Sequence, residues 1–179
     1  MHETKTVRDF IRTIPDFPVP GVQFRDVTTL FNDATGLRLT IDGLANPYTT
    51  EKLDVVVGMD ARGFILGGAV AYKLGLPFVA IRKAGKLPGS TISVAYELEY
   101  GQAEMEIHDD AIHAGSRVLL IDDLLATGGT AEAGVKLVEQ LGGDIVAAAF
   151  VVDLPDLGGN KRLTDMGIDV HILCAFDGD

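Results

Sequence analysis

Residues 118–130 read VLLIDDLLATGGT. An apolar run without polar alternation ends in two adjacent carboxylates, Asp122 and Asp123, and a short loop then leads through Ala126 into Thr127-Gly128-Gly129-Thr130. The run has the character of a strand covered on both faces. The loop has the character of a phosphate site at a helix start. Glycines let backbone N–H groups come close to an anion, the helix N-terminus adds a favourable dipole, and the hydroxyls of Thr127 and Thr130 can donate as well. Carboxylates do not bind phosphate; they accept hydrogen bonds from hydroxyls. A ligand with a phosphate at one end and a diol a few ångströms away satisfies both parts, and a ribose 5-phosphate has that shape. Taken singly, Asp-Asp is an ordinary strand end and Gly-Gly an ordinary helix cap. The string fits neither the dinucleotide fingerprint G-x-G-x-x-G nor the P-loop G-x-x-x-x-G-K-[ST].

Working outward, LDVVVGM (53–59), LPFVAI (76–81), DIVAAAFVVDL (144–154) and DVHILCAF (169–176) share the apolar, unalternating character of RVLLIDD (117–123). Between them, FILGGAVAYKLG (64–75) and TAEAGVKLVEQLGG (130–143) have helical spacing and glycine stops. Alternating strand and helix predicts an α/β fold with a central parallel sheet flanked by helices. Residues 84–108 break the alternation and read as an antiparallel hairpin turning at Gly101. Ligands of such sheets bind beyond the carboxyl ends of the strands. That singles out Asp60-Ala61-Arg62-Gly63, Arg82-Lys83, Asp122-Asp123 and Asp153-Leu154.

The 179 residues suit one domain, 1–179, with no repeat or linker. One cysteine, Cys174, excludes an internal disulfide and fits a reducing compartment. The first residues carry no apolar leader and no run approaches a membrane span, so the expectation is a cytoplasmic protein with no membrane partner. Fifteen Lys and Arg against 26 Asp and Glu leave a net charge of −11, which argues against a nucleic-acid partner. The local exception is IRKAGK (81–86), where Arg82, Lys83 and Lys86 stand together. His2, His108, His113 and His171 show no metal-ligand spacing with each other or with Cys174, and no Ser-His-Asp set suggests a hydrolase.

VLLIDDLLATGGT resembles the phosphoribosyl pyrophosphate motif of the type I phosphoribosyltransferases. PDFPVPGVQFRDVTTLF (15–31), GMDARGFILG (58–67), IRKAGKLPG (81–89) and YELEYG (96–101) narrow the resemblance to the adenine-specific branch, over nearly the whole chain and in order. It implies a type I fold with a small N-terminal hood at about 10–35 and a flexible catalytic loop at about 84–101, and an enzyme of purine salvage that makes AMP and pyrophosphate from adenine and phosphoribosyl pyrophosphate. It also implies a homodimer and Mg²⁺ carried mainly by substrate and water, with no direct protein metal ligand expected.

The residue roles follow from the same resemblance. Asp60, Ala61 and Arg62 form the pyrophosphate loop, with a cis peptide at Asp60–Ala61; a planar guanidinium can hold pyrophosphate bidentately. Lys83 and Lys86 add positive charge, and Arg82 reaches the neighbouring subunit's site. Asp122 and Asp123 hold the ribose diol and stabilise positive charge on the ring, while Ala126, Thr127, Gly128, Gly129 and Thr130 hold the 5-phosphate. Glu99 assists proton transfer on adenine, and its neighbour Tyr100 joins the phosphoribosyl and pyrophosphate contacts. Phe24 flanks the base, the backbone of Gln23 and Arg25 reads its edge, and Leu154 closes the other side. Backbone readout suits adenine because a 6-oxo base inverts the donor–acceptor pattern and leaves polar groups unpaired. The hood loop alone reads as a rigid, proline-stiffened segment packing Phe17 on the core. The chain departs from the pattern at Thr28-Thr29, where the family carries Thr or Ser followed by Pro; this touches only the hood geometry.

Plainer readings stand beside these: a surface ion pair for Arg62, a solvated loop for the basic cluster, a surface glutamate for Glu99. Rival functions are a sister transferase for another base, a non-catalytic phosphoribosyl pyrophosphate sensor, and an interaction domain. The last has no need of arginines, aspartates and glycines at successive strand ends.

Overall fold

The computed structural model describes residues 5–97 and 101–178. A hairpin comes first: β1 (Arg12–Pro15) pairs antiparallel with β2 (Gln23–Asp26), with Ile14 opposite Phe24. A single turn of helix, α1 (Thr28–Phe31), leads into α2 (Ala34–Ala45). The Asp33 carboxylate caps α2 by accepting from the backbone N–H of Thr35 and Gly36 at 2.8 and 2.9 Å.

The α/β body follows as β3 (Val55–Met59), α3 (Arg62–Leu74), β4 (Phe78–Lys83), β5 (Thr91–Glu97), β6 (Gln102–His108), β7 (Arg117–Leu125), α4 (Gly129–Gln140), β8 (Asp144–Asp153), α5 (Gly159–Asp165) and β9 (Val170–Ala175). One seven-stranded sheet has the order β5-β6-β4-β3-β7-β8-β9. Neighbours from β4 to β9 run parallel, and β5 and β6 join antiparallel beyond β4. The expected hairpin at 84–108 is therefore an extension of the main sheet.

The sheet is covered on both sides, which explains the missing alternation. Val56, Leu119, Ile121, Ala147 and Ala149 pack with Leu44 of α2 and Leu66 and Val70 of α3. Val57, Leu120, Ala148 and Phe150 pack on the other face with Val135, Leu137 and Val138 of α4 and Leu163 of α5. In β3 and through most of β7 and β8 both faces meet an apolar layer, so successive positions there are apolar whichever way they point.

The hood differs from the sequence expectation in one respect. Phe17 does not pack into the core: it is 51 % exposed and meets Phe24 edge-on at 5.2 Å. The loop around it closes on itself, with Gly21 N–H donating to the Asp16 carboxylate at 2.8 Å, so the ring stays on the hairpin. Thr28 and Thr29 tie the hood down. Thr28 Oγ1 donates to Asp26 Oδ1 at 2.5 Å, and Thr29 Oγ1 donates to Phe10 O at 2.7 Å while accepting from Arg12 N at 3.2 Å.

Candidate active site

The carboxyl ends of β3, β4 and β7 open on a cavity of about 490 Å³. Asp60, Ala61 and Arg62 form one wall, Lys83 another, and residues 122–131 the floor, including Ala126, Thr127, Gly128, Gly129 and Thr130. The cis peptide lies at Asp60–Ala61, as expected. Tyr96, Ala103 and Met105 of the β5–β6 hairpin complete the lining. These three were not singled out from the sequence, although Tyr96 lies within the quoted YELEYG.

The glycine-rich loop opens α4. Gly128 caps α4 with φ +81°, a conformation that only glycine adopts freely. Glu132 N–H is bonded back to Gly128 O at 2.8 Å. The N–H groups of the first turn, from Gly129 on, have no acceptor within the helix, which leaves donors and a positive dipole end for an anion. What the sequence reading missed is the support behind this loop. Gly159 N–H donates to Ala126 O at 2.9 Å, and a Cβ on Gly159 would lie 2.3 Å from Ala126 O and 2.9 Å from Gly128 N. Arg162 Nη1 reaches Thr127 O at 3.4 Å, and Arg162 Nε is paired with Glu132. The signal was present as Gly158-Gly159 ahead of a basic residue, but nothing local ties it to residue 126.

The two aspartates sit in unlike surroundings. Asp123 is 4 % exposed and its Oδ2 accepts from Arg62 Nε. Asp122 Oδ1 accepts from Asp123 N–H at 2.9 Å. Burial, and then the charge of Asp123, push the Asp122 carboxyl well above the usual carboxylate range. Burial works against the Arg62 charge, but the hydrogen bond and charge of Asp123 outweigh it and raise its pKa. Two acids facing a single arginine leave carboxylate oxygens that can accept hydrogen bonds from hydroxyls.

The remaining basic residues are less concentrated. Arg82 Nε lies 3.3 Å from Asp60 Oδ2, its Nη1 donates to Lys86 O at 3.2 Å, and its guanidinium sits 5.9 Å from the Phe64 ring centre. Arg82 and Lys86 do not line the cavity. Glu106, on β6 opposite Arg82, anchors the loop start by accepting from Lys86 and Leu87 N–H at 2.8 and 2.7 Å.

Gln23, Phe24, Arg25 and Leu154 lie outside the cavity wall as well. The first three are on β2. Leu154 follows β8, its N–H bonded to Leu125 O at 3.0 Å. Arg25's side chain points its hydrogen bonds at Thr13 Oγ1 (2.7 Å) and Asp177 O (3.2 Å). Among the described residues, two buried side-chain atoms lack a partner, Arg25 Nε and Asp153 Oδ1, and both adjoin this second group. Burial raises the Asp153 pKa. Glu99 and Tyr100 lie outside the described residues. His171 Nε2 lies 3.1 Å from Gly43 O, away from the cavity.

The phosphoribosyl transferase domain family matches residues 34–172. Over 97 % of the chain and 98 % of the relative, the sequence is 68 % identical to an adenine phosphoribosyltransferase of Cereibacter sphaeroides. The chain belongs to the adenine phosphoribosyltransferases. The crystal structure of the adenine phosphoribosyltransferase from Rhodothermus marinus superposes with a TM-score of 0.88 at 47 % identity, covering 95 % of this chain and 96 % of that one. The Saccharomyces cerevisiae adenine phosphoribosyltransferase, solved with adenine and an imino-altritol bisphosphate, gives 0.88 at 38 % identity, covering 94 % and 96 %. The type I phosphoribosyltransferase fold, with its parallel sheet and small antiparallel hairpin, is thus common to this phosphoribosyltransferase and its relatives.

Proposed function

We propose that the chain transfers the phosphoribosyl group of phosphoribosyl pyrophosphate to adenine, giving AMP and pyrophosphate, as a cytoplasmic purine-salvage enzyme. The observation that carries the reading is the paired Asp122–Asp123 and the glycine-rich start of α4 on the floor of one cavity with Arg62 and Lys83 on its walls. Residues 126–130 hold the 5-phosphate. Asp122 and Asp123 hold the ribose hydroxyls, and Arg62 and Lys83 hold the pyrophosphate with Asp60 and Ala61. As pyrophosphate leaves, positive charge develops on the ribose, as in glycosidase transition states. The aspartates stabilise it from fixed positions, which is worth far more in a dry site than in water. The β5–β6 hairpin excludes water through Tyr96 and Met105. Gln23, Phe24, Arg25 and Leu154 surround the base, Glu99 balances its protons, and Tyr100 flanks the leaving group.

Mg²⁺ fits this donor set as a substrate-borne ion. Asp122 and Asp123 are the acids of the floor, and Arg62 already engages one of them. Too few oxygens remain for an all-protein octahedral cage, and this ion commonly keeps water and phosphate ligands. When bound, it neutralises charge on the pyrophosphate oxygens.

The working unit is a homodimer. The exposed face of α3 carries Ile65 at 52 % and Tyr72 at 91 % exposure, next to the Phe64 ring on which Arg82 rests. A second copy covering that face draws Arg82 toward its own site.

The test is AMP formation from labelled adenine, phosphoribosyl pyrophosphate and Mg²⁺, with hypoxanthine, guanine and orotate as parallel acceptors. Adenine-selective product that vanishes on chelation is the expected result. Turnover with another base overturns the hood assignment. Binding of phosphoribosyl pyrophosphate without turnover overturns catalysis in favour of sensing.

A further inference from the structure

Phe176 follows β9 and is 7 % exposed. Its ring is approached by two guanidinium groups, Arg8 at 4.4 Å and Arg25 at 4.7 Å from the ring centre. Both are within cation–π range. Arg8 Nη1 also donates to Ala175 O at 2.7 Å, and Arg25 Nη2 to Asp177 O at 3.2 Å. Arg25 is the neighbour of Phe24 on β2. On the opposite side, Phe176 N–H donates to Asp153 O at 3.1 Å and Gly178 N–H to Asp156 Oδ2 at 2.9 Å. Asp153 and Asp156 bracket Leu154. Residues 175–178 are thus fastened at once to the hood and to the turn after β8.

We propose that residues 175–178 form a strap that sets the spacing between the hood and the Leu154 turn, which makes Phe176, Arg8 and Asp156 positioning residues for adenine. The inference rests on the base lying between Phe24 and Leu154, as put forward above. Hydrogen bonds to a base edge tolerate only a few tenths of an ångström, so two walls from distant parts of the chain need a common fastening. The hood hairpin has only two strands, and such a hairpin is marginal unless it packs on something else. The strap supplies that packing. It also commits the Arg25 side chain to Phe176, Thr13 and Asp177, leaving the Arg25 backbone as the part that reads the base. None of its side-chain hydrogen bonds or cation–π contacts reaches residues 122–130.

The experiment compares Phe176→Leu, Arg8→Gln and Asp156→Ala with Phe24→Ala, measuring KM for adenine, KM for phosphoribosyl pyrophosphate, kcat, and hydrogen exchange at residues 23–26. Each strap variant is expected to raise the adenine KM about 3- to 10-fold and leave the phosphoribosyl pyrophosphate KM within twofold, with faster exchange in β2. Arg8 is exposed, so Arg8→Gln keeps the test valid if Phe176→Leu folds poorly. Unchanged adenine KM in all three, with Phe24→Ala raising it, overturns the strap alone. An equal rise in both KM values overturns it too, because that marks general loosening. An unchanged adenine KM in Phe24→Ala overturns the placement of the base and the strap with it.

Discussion

The proposed phosphoribosyl side of the cavity is made from three adjacent strand ends of one sheet, whereas the proposed base side joins the turn after β8 and the strap after β9 of that sheet to a hairpin that lies outside it. On the first side, β3, β4 and β7 are hydrogen-bonded neighbours, so the sheet itself fixes Arg62, Lys83 and the aspartates relative to one another. On the second, β2 sits in a separate two-stranded sheet and is linked to Leu154's turn through residues 176–178. The groups proposed for charge stabilisation are thus fixed by strand pairing, and those proposed for base choice by contacts between separate elements. Damage to the first side should appear in turnover, and damage to the second in adenine affinity and hood stability.

The largest effect that tests this contrast is at the aspartates. Asp122→Asn and Asp123→Asn keep shape and remove charge, and each should lower kcat by about 10²- to 10³-fold, the range for losing one preorganised electrostatic contact. Stability should move the other way for Asp122. Its pKa is raised in the fold, chiefly by burial and then by Asp123. Its stabilising contribution is therefore full below the unfolded pKa of about 3.9 and is lost as pH rises through the folded value. At pH 7 the charge is a burden, so Asp122→Asn should melt at or above the wild-type Tm while losing turnover. Retained activity, or a clearly lower Tm, breaks the assignment.

Next comes the support behind the phosphate loop. Gly159→Ala places a methyl group 2.3 Å from Ala126 O, which the backbone can relieve only by moving the loop. Misplacement of about 1 Å can cost around 10²-fold, so the KM for phosphoribosyl pyrophosphate should rise by about 10- to 100-fold, with a smaller change for adenine. Steady-state kinetics with each substrate varied decides it. Equal changes for both substrates would blur the distinction between the two sides.

The same contrast explains what was legible in the sequence. Strands at 53–59, 117–123 and 144–154 could be read because apolar runs covered on both faces carry their own signature, and the residues after them fall at one sheet edge by topology. Gly128 announced its loop because a helix start needs it locally. The hood hairpin was not read as strands: β1 and β2 have four residues each, and prolines dominate the loop between them. Phe17 was misplaced because an aromatic ring on a proline-rich loop can pack on its own hairpin as well as on the core, and the Asp16–Gly21 bond that decides it is invisible to pattern. Gly159, Arg162 and Phe176 were missed for a related reason. Their partners are Ala126, Glu132 and Arg25, brought near only by the fold.

A milder effect concerns how the hood is anchored. The hydrogen bonds from Thr28 and then Arg12 hold the Asp26 carboxyl down at about 2. A depressed pKa contributes stability above the unfolded value of about 3.9 that is lost as pH falls through the folded one. Asp26→Asn should therefore lower Tm at pH 7, and the difference from wild type should close between about pH 4 and pH 2. Thermal melts across that window check it; a difference that stays constant would show that Asp26 acts through shape alone.

The smallest expected effect is at Thr29. Its hydroxyl donates to Phe10 O and accepts from Arg12 N–H, so it joins the segment before β1 to the start of α1. Thr29→Val keeps volume and removes both bonds, together with the longer contact of the same hydroxyl to Asp26 O at 3.1 Å. A typical hydrogen bond is worth about 0.5–1.5 kcal/mol net, and for a chain of this size 1 kcal/mol moves Tm by roughly 2–4 °C. Phe10 O is partly buried and loses its donor without a replacement, which puts the expected drop toward the upper part of that range. Turnover and the phosphoribosyl pyrophosphate KM should stay within twofold, because Thr29 touches neither the strand ends nor the phosphate loop. A Tm loss with unchanged kinetics would sharpen the separation between the two sides. A fall in kcat would mean that the hood is coupled to the aspartates through contacts the sheet does not carry.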